Sequence, residues 1–210
     1  MNSWNRVFAV GLCLTVVAES RRENVDFTQA PGRFIGRLAI DRSDASGRCT
    51  ATLVGHDVIL TAAHCLKQND RLLDGRVSPD GVTFQLQYSS GEALATSRLL
   101  TAVTSREYEA LALSIHGGDW ALGRLEKPLG RKFGYLELAN VILPVGSKVQ
   151  ALGYSKGGNE EHPGIDPDCR IGTWDTETSR RFRALGIPTG NYFMTSCDID
   201  SGASGGPMVA

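Results

Sequence analysis

One seven-residue stretch, Val82–Tyr88 (VTFQLQY), alternates between apolar and polar side chains without exception. Because successive side chains of a strand point to opposite faces of the sheet, this pattern predicts a half-buried β-strand. Similar short apolar runs lie between turn residues at 34–40, 50–54, 58–60, 98–103, 120–125, 148–154 and 192–195. The one candidate for a longer helix, 106–115, is short and lies between strands. The chain is therefore predicted to be all-β, built as barrels or a sandwich.

Length and charge narrow the classes of partner. A chain of 210 residues with 41% hydrophobic and 21% charged residues can bury one sizeable core or two small ones. Its net charge of −1 gives no electrostatic reason to expect nucleic acid or an anionic membrane as a partner. We therefore expect neither partner, and we expect a monomer.

The N-terminus has the pattern of a targeting segment. Arg6 precedes an uninterrupted run of apolar or small residues from Val7 to Ala18, which ends in small residues of the kind that signal peptidase recognises. This run is too short for a membrane anchor, which needs about 20 residues. Residues 1–18 are predicted to be a signal peptide, so the expected location is extracellular or periplasmic. The charged segment 19–33 has no periodicity and is interpreted as a propeptide or a lead-in.

Removal of the signal peptide would take Cys13 and leave Cys49, Cys65, Cys169 and Cys197. An even number of cysteines in an oxidising compartment predicts two disulfides. Three pairings are possible, and we predict the one that joins near neighbours, Cys49 with Cys65 and Cys169 with Cys197. Each disulfide would contribute about 3 kcal/mol in the chain-entropy description. A zinc site is the alternative, but these cysteines lack the close spacing that zinc ligands usually show.

His64 lies in the segment VILTAAHC, which runs from an apolar strand into a turn of small residues. A disulfide between Cys65 and Cys49 would tie this turn to the neighbouring strand and hold the histidine in place. Three further histidines lie beside Gly, Asp or Pro in loop-like sequence and are interpreted as solvated surface residues: His56, His116 and His162. His64 is therefore the candidate general base.

A serine becomes an effective nucleophile when a histidine takes its proton and a carboxylate orients that histidine. Asp119 is the candidate carboxylate because it stands directly before an apolar strand, where burial is costly unless the charge is paired. The alternative is a residue that caps the Gly117-Gly118 turn before that strand.

Ser204 is the candidate nucleophile, since its small neighbours in GASGG adopt backbone conformations that bulky residues avoid and let a substrate approach closely. In such a turn the N–H groups of Gly202 and Ser204 could converge on an oxyanion. The alternative is a flexible Ser/Gly tail. The apolar run that begins at Pro207 and the anchoring by Cys197 argue against a tail.

The same turn matches G-x-S-x-G, the nucleophile motif of α/β-hydrolases such as lipases and esterases. Those enzymes place their acid and their histidine after the serine. Here the order along the chain is His64, Asp119, Ser204, which argues against a lipase or an esterase.

Four segments together resemble the trypsin/chymotrypsin superfamily of serine proteases, and in particular the secreted bacterial-type branch that includes glutamyl endopeptidases: CTATLVGHDVILTAAHC, GDWALGRLEKPLG, VQALGYSKG and CDIDSGASGGPMV. The resemblance covers about 34–210, and the combination of TAAHC with GASGGP is its most specific part. It implies a fold of two packed antiparallel β-barrels, the first at about 34–135 and the second at about 140–210, with the active site between them. The second barrel is expected to be incomplete at its C-terminus.

The resemblance also implies the role of each site residue. His64 would be general base and acid, Asp119 its orienting carboxylate, Ser204 the nucleophile, and Gly202 with Ser204 the oxyanion donors. In trypsin-like zymogens the residue before the nucleophile is an aspartate that pairs with a newly cut N-terminus, whereas here it is Ala203. The GRFIGR segment nevertheless resembles an activation site, so cleavage after Arg33 is expected to act through some other contact.

Residue preference does not follow from the motif. Asp198 stands six residues before Ser204, where trypsins carry the residue that selects basic side chains, but the cysteine spacing differs here. The sequence therefore predicts a secreted serine endopeptidase that acts on proteins or peptides through an acyl-enzyme. The alternative is a non-catalytic protease homologue that binds proteins or peptides through its cleft. No cofactor or catalytic metal is required for this reaction. A structural calcium ion bound by a loop of carboxylates is a separate alternative.

Overall fold

A computed structural model of the chain describes residues 22–43, 46–66, 76–77, 80–104, 119–140, 143–155, 161–173, 180, 184, 194–198 and 201–210. The predicted signal peptide and the candidate helix at 106–115 lie outside the described residues.

The described residues are mostly β-structure. The strands are β1 (Glu23–Asn24), β2 (Ile35–Asp41), β3 (Ser46–Leu53), β4 (Val58–Thr61), β5 (Arg76–Val77), β6 (Val82–Leu86), β7 (Ala95–Thr104), β8 (Ala121–Leu125), β9 (Lys148–Gly153), β10 (Gly164–Gly172), β11 (Met194–Thr195) and β12 (Met208–Val209). One short helix, α1, spans Leu129–Phe133, and 3-10 turns span Gly32–Phe34 and Ala63–Leu66. Among the described residues, no helix has the length and apolar character needed to cross a bilayer. The all-β prediction is confirmed.

The first sheet closes into a barrel. Its strands follow the order β5-β7-β6-β2-β3-β4-β8, and an additional pairing of β7 with β8 joins the two sides. All of these pairs are antiparallel. The alternation predicted for Val82–Tyr88 is confirmed, since Val82, Phe84, Leu86 and Tyr88 are buried and the residues between them are half-buried, although the strand itself ends at Leu86. The first three of these buried side chains fill the barrel together with Leu38, Leu53 and Ile59 among others.

The second sheet has the order β1-β10-β9-β12, with β11 paired to β10. Strand β9 was predicted from its apolar run, whereas β10 (GIDPDCRIG) carries no such run and was not predicted. The pairing of β10 with β9 shifts register between Asp166 and Cys169. Proline has no N–H to donate to a ladder, and the N–H of Asp168 donates to the Oδ1 of Asp166 within the same strand at 3.2 Å. Pro167 therefore lies at the irregular point of the strand.

The segment before β2 is folded against the second sheet. In β1, Glu23 pairs with Ile165 and Asn24 with Gly164, and the N–H of Val25 donates to the carbonyl of Pro163 at 3.2 Å. The described part of the segment that the sequence interprets as a propeptide or lead-in is thus a strand and turn that connect the second sheet to β2.

Candidate active site

His64 lies in the 3-10 turn Ala63–Leu66 that follows β4. Ala63, Cys65 and Leu66 are buried, which anchors the turn, whereas the His64 side chain is 41% exposed. The disulfide between Cys65 and Cys49 ties the turn to β3, with a Cα–Cα distance of 6.3 Å. A rigid turn therefore presents an imidazole that solvent and substrate can reach.

Both predicted disulfides are confirmed. The second joins Cys169 in β10 to Cys197, with a Cα–Cα distance of 4.7 Å, and so fixes the chain a few residues before Ser204. The ligand atoms of Cys49, His64 and Cys65 lie within 4.8 Å of one another, as in some metal sites. However, both sulfur atoms belong to the disulfide, and zinc binds cysteine as thiolate. This donor set does not suit a metal.

Asp119 lies at the entrance to β8 and contacts His64 twice. Its Oδ2 is 2.7 Å from His64 Nδ1, and its Oδ1 accepts the backbone N–H of His64 at 2.9 Å. These two contacts fix both the position of the carboxylate and the orientation of the imidazole. The turn-cap alternative for Asp119 involves Gly117 and Gly118, which lie outside the described residues.

The contacts between Asp119 and His64 favour an ionised carboxylate beside a basic imidazole. The hydrogen bond to Asp119 raises the pKa of His64 above its usual value, and partial burial opposes this effect. Burial raises the pKa of Asp119, but hydrogen bonds from the His64 side chain and backbone outweigh it and leave that pKa below its usual range. An ionised Asp119 favours the tautomer with the proton on Nδ1, which leaves Nε2 to act as a base.

The Ser204 turn is bonded to the first barrel. The Thr50 N–H donates to the Ser204 carbonyl at 2.9 Å, and the Thr50 Oγ1 donates to the Gly202 carbonyl at 2.9 Å. The Sγ of Cys65 lies 3.8 Å from the Ser204 carbonyl oxygen, so the turn lies against the disulfide that anchors His64. These contacts contradict the alternative of a flexible Ser/Gly tail.

The two glycines after Ser204 are required by space. A Cβ on Gly205 would lie 2.2 Å from Thr61 Oγ1 and 2.4 Å from the Thr50 carbonyl oxygen. A Cβ on Gly206 would lie 2.0 Å from the carbonyl oxygen of Leu152 in the second sheet. Gly205 also has a φ of 83°, a conformation that side chains disfavour. The first barrel therefore packs directly against Gly205, and the second sheet packs directly against Gly206.

The Gly205→Ala variant should be destabilised by about 3 kcal/mol, because both the positive φ and the clash with Thr50 and Thr61 oppose a methyl group. Gly91→Ala is the matched control, since Gly91 has a φ of 90° but nothing within 4 Å of the added Cβ. Urea unfolding of both variants measures the difference. Equal losses in the free energy of unfolding at the two positions would show that backbone strain alone accounts for the effect and that the close packing around Gly205 does not contribute.

Sequence reasoning missed Thr50. This residue is fully buried, and its hydroxyl accepts the Tyr154 N–H at 2.9 Å while it donates to Gly202. Thr50 therefore joins β3, the chain after β9 and the Ser204 turn. Its position beside Cys49 in a predicted strand was visible in the sequence, but nothing there indicated which way its side chain would point.

Comparison with known proteins assigns the chain to a family. The sequence matches the model of the Trypsin family over residues 24–210. The chain belongs to the trypsin family. It is accordingly a serine-type endopeptidase, a hydrolase whose substrates are proteins or peptides, and the predicted resemblance is confirmed. No curated protein matches the sequence significantly.

Solved structures of proteases share the fold of this trypsin-family chain. Protease Anisep from Arthrobacter nicotinovorans is 16% identical with a TM-score of 0.63, covering 87% of this chain and 80% of that one. A Glu endopeptidase in complex with MPD is 17% identical with a TM-score of 0.59, covering 92% and 81%. The thermostable serine protease AL20 from an extremophilic microorganism is 21% identical with a TM-score of 0.57, covering 86% and 81%. The two-barrel fold class is thereby confirmed.

Proposed function

We propose that this trypsin-family chain is a secreted endopeptidase that cleaves peptide bonds through an acyl-enzyme on Ser204. His64 is the general base and then the general acid, and Asp119 orients it. The observation that carries the proposal is the 2.7 Å contact between His64 Nδ1 and Asp119 Oδ2, on a turn whose disulfide touches the Ser204 turn. Nucleophile, base and orienting carboxylate are the three parts that acyl transfer needs.

The proposed reaction has two proton transfers in each half. His64 Nε2 takes the proton of Ser204 Oγ as Oγ bonds the substrate carbonyl carbon. The imidazolium then returns that proton to the leaving amine as the carbon–nitrogen bond breaks and the acyl-enzyme remains. Water then bonds the acyl carbon while it gives a proton to His64 Nε2. The imidazolium returns that proton to Ser204 Oγ as the ester bond breaks, which releases the carboxylic acid and restores Ser204. The Asp119 carboxylate stabilises the imidazolium in each half without taking a proton itself.

The backbone of the Ser204 turn suits a role as oxyanion hole. Gly202 has a φ of 92°, and its carbonyl is held by Thr50 on the side of the first barrel. The N–H groups of Gly202 and Ser204 are the proposed donors to the tetrahedral intermediate. A donor of this kind typically contributes about 3 kcal/mol to the transition state.

Secretion is supported by the cysteines. Both disulfides lie within the described residues, and such bonds persist in oxidising compartments and are rare in the cytosol. The pattern of residues 1–18 is typical of a signal peptide that would deliver the chain there. We propose that the exported protein acts as a monomer without a cofactor.

A fluorophosphonate probe tests the proposal, because it reacts with a serine only where a base and an oxyanion hole activate it. The exported protein should be labelled at Ser204 and nowhere else, as mapped by mass spectrometry, and His64→Ala should abolish labelling. His56→Ala is the matched control, since His56 packs edge-on against Tyr135 and is expected to leave labelling intact. A folded wild-type protein without label would overturn the proposal and favour the non-catalytic binding homologue.

A further inference from the structure

The N-terminal segment reaches the base of the loop that carries Ser204. Arg22 Nη2 lies 3.4 Å from Asp198 Oδ1, and their side chains are only 10% and 32% exposed. Asp198 directly follows the disulfide-bonded Cys197 and precedes Ser204 by six residues. An ion pair between positions 176 residues apart therefore links the start of the described chain to the nucleophile loop.

Asp198 is held from two sides. Its backbone N–H donates to Asp166 Oδ2 at 2.7 Å, and Asp166 is fully buried in β10. Its carboxylate faces Arg22. Strand β10 is paired to β9 and bonded to Cys197 through Cys169, so the second sheet holds the backbone of Asp198 while Arg22 contacts its side chain.

Arg22 is in turn positioned by β1. The pairs Glu23–Ile165 and Asn24–Gly164 align the residues after it against β10. A Cβ on Gly164 would lie 3.3 Å from the Cδ of Arg22, so the missing side chain at Gly164 leaves room for the arginine stem. The segment is thus packed against the second sheet as an integral part of the fold. Burial of the Arg22 guanidinium is costly in free energy unless a carboxylate pairs with it.

We propose that Arg22 is a positioning residue which, through Asp198, orders the loop that carries Ser204 in its reactive conformation. It follows that residues 22–33 stay with the active protein. Cleavage after Arg33, the activation step suggested by GRFIGR, would remove both Arg22 and β1. The inference rests on the proposed function in its catalytic consequence, but the ordering of the loop can be measured without activity.

The test compares Arg22→Ala with Arg22→Lys in the full exported protein. Arg98→Ala is the matched control, because Arg98 forms a comparable 2.8 Å ion pair with Glu126 on the exposed surface of the first barrel. Two properties are measured: the rate of fluorophosphonate labelling at Ser204, and hydrogen–deuterium exchange of peptides that cover 194–210. Exchange in β2, β3 and β6 reports whether each variant is folded. Should Arg22→Ala fail to fold, Asp198→Asn replaces it, since it keeps the N–H bond to Asp166 and removes the charge.

We expect Arg22→Ala to slow labelling by about tenfold or more, because small displacements of a reacting group are costly in rate. Exchange at 194–210 should accelerate while exchange in the first barrel is unchanged. Arg22→Lys should restore most of the labelling rate, and Arg98→Ala should change neither property. Intact-mass analysis of labelled wild-type protein should find Arg22 present.

Unchanged exchange at 194–210 in Arg22→Ala overturns the inference. So does an active exported protein whose chain begins at Phe34. A wild-type protein that takes no label refutes the proposed function instead, and in that case the exchange data alone still decide whether Arg22 orders the loop.

Discussion

The Ser204→Ala variant is expected to lose about a million-fold in kcat for peptide hydrolysis, while the protein remains folded and still binds substrate. Removal of the hydroxyl removes the atom that forms the acyl-enzyme, and the remaining oxyanion donors and substrate contacts account for whatever rate is left over water. The backbone contacts of residue 204, including the bond from the Thr50 N–H, do not depend on the side chain. Steady-state kinetics on a casein or peptide substrate, with circular dichroism as a check of folding, measures the loss.

Ser90→Ala is the matched control for this variant. Ser90 Oγ lies 2.9 Å from His162 Nε2, so it too is a serine beside a histidine, but Nδ1 of that histidine faces Ser89 at 2.7 Å rather than a carboxylate. Activity of Ser90→Ala should match the wild type. Retention of hydrolysis in Ser204→Ala, or its loss in Ser90→Ala, would refute the assignment of Ser204.

The Asp119→Asn variant is expected to lower kcat by about ten-thousandfold, because an amide no longer holds His64 in the tautomer that presents a basic Nε2. It should also change the pH dependence. His64 accepts a proton only when neutral, so kcat/KM rises as the pH increases through the pKa of His64. In the wild type the bond to Asp119 places that pKa above the usual 6.5. Without the carboxylate, the pKa falls, and the acid limb of the profile moves to lower pH.

Profiles of kcat/KM against pH for the wild type and for Asp119→Asn test this direction. Glu126→Gln serves as the control, because it removes a carboxylate with a lowered pKa that lies on the exposed surface with Arg98. Its profile should coincide with that of the wild type. An acid limb that stays in place or moves to higher pH in Asp119→Asn would contradict the proposed pairing of Asp119 with His64.

Most strands of the first barrel could be predicted because their signal is local. The alternation in Val82–Tyr88 indicates which side chains face the core, independently of the rest of the chain. Strand β10 escaped prediction because Pro167 and its charged neighbours interrupt such a pattern, and the strand exists through its pairing with β9 and its disulfide to Cys197. The strand within 22–33 was not predicted either, because its partners lie in a strand far along the chain.

In the candidate site, too, local sequence features were predictable and long-range contacts were not. The motifs TAAHC and GASGGP and their order along the chain are properties of the sequence, and they alone determined the family and the candidate triad. The even number of cysteines predicted two disulfides, and the structure decided which cysteines pair. The tertiary structure decided that Asp119 meets His64 across 55 positions, that Thr50 joins the Ser204 turn to β3, and that Arg22 faces Asp198. These contacts arise only when the first barrel closes and the second sheet packs beside it, because a side chain's distant neighbours are set by which strands pair and in what register.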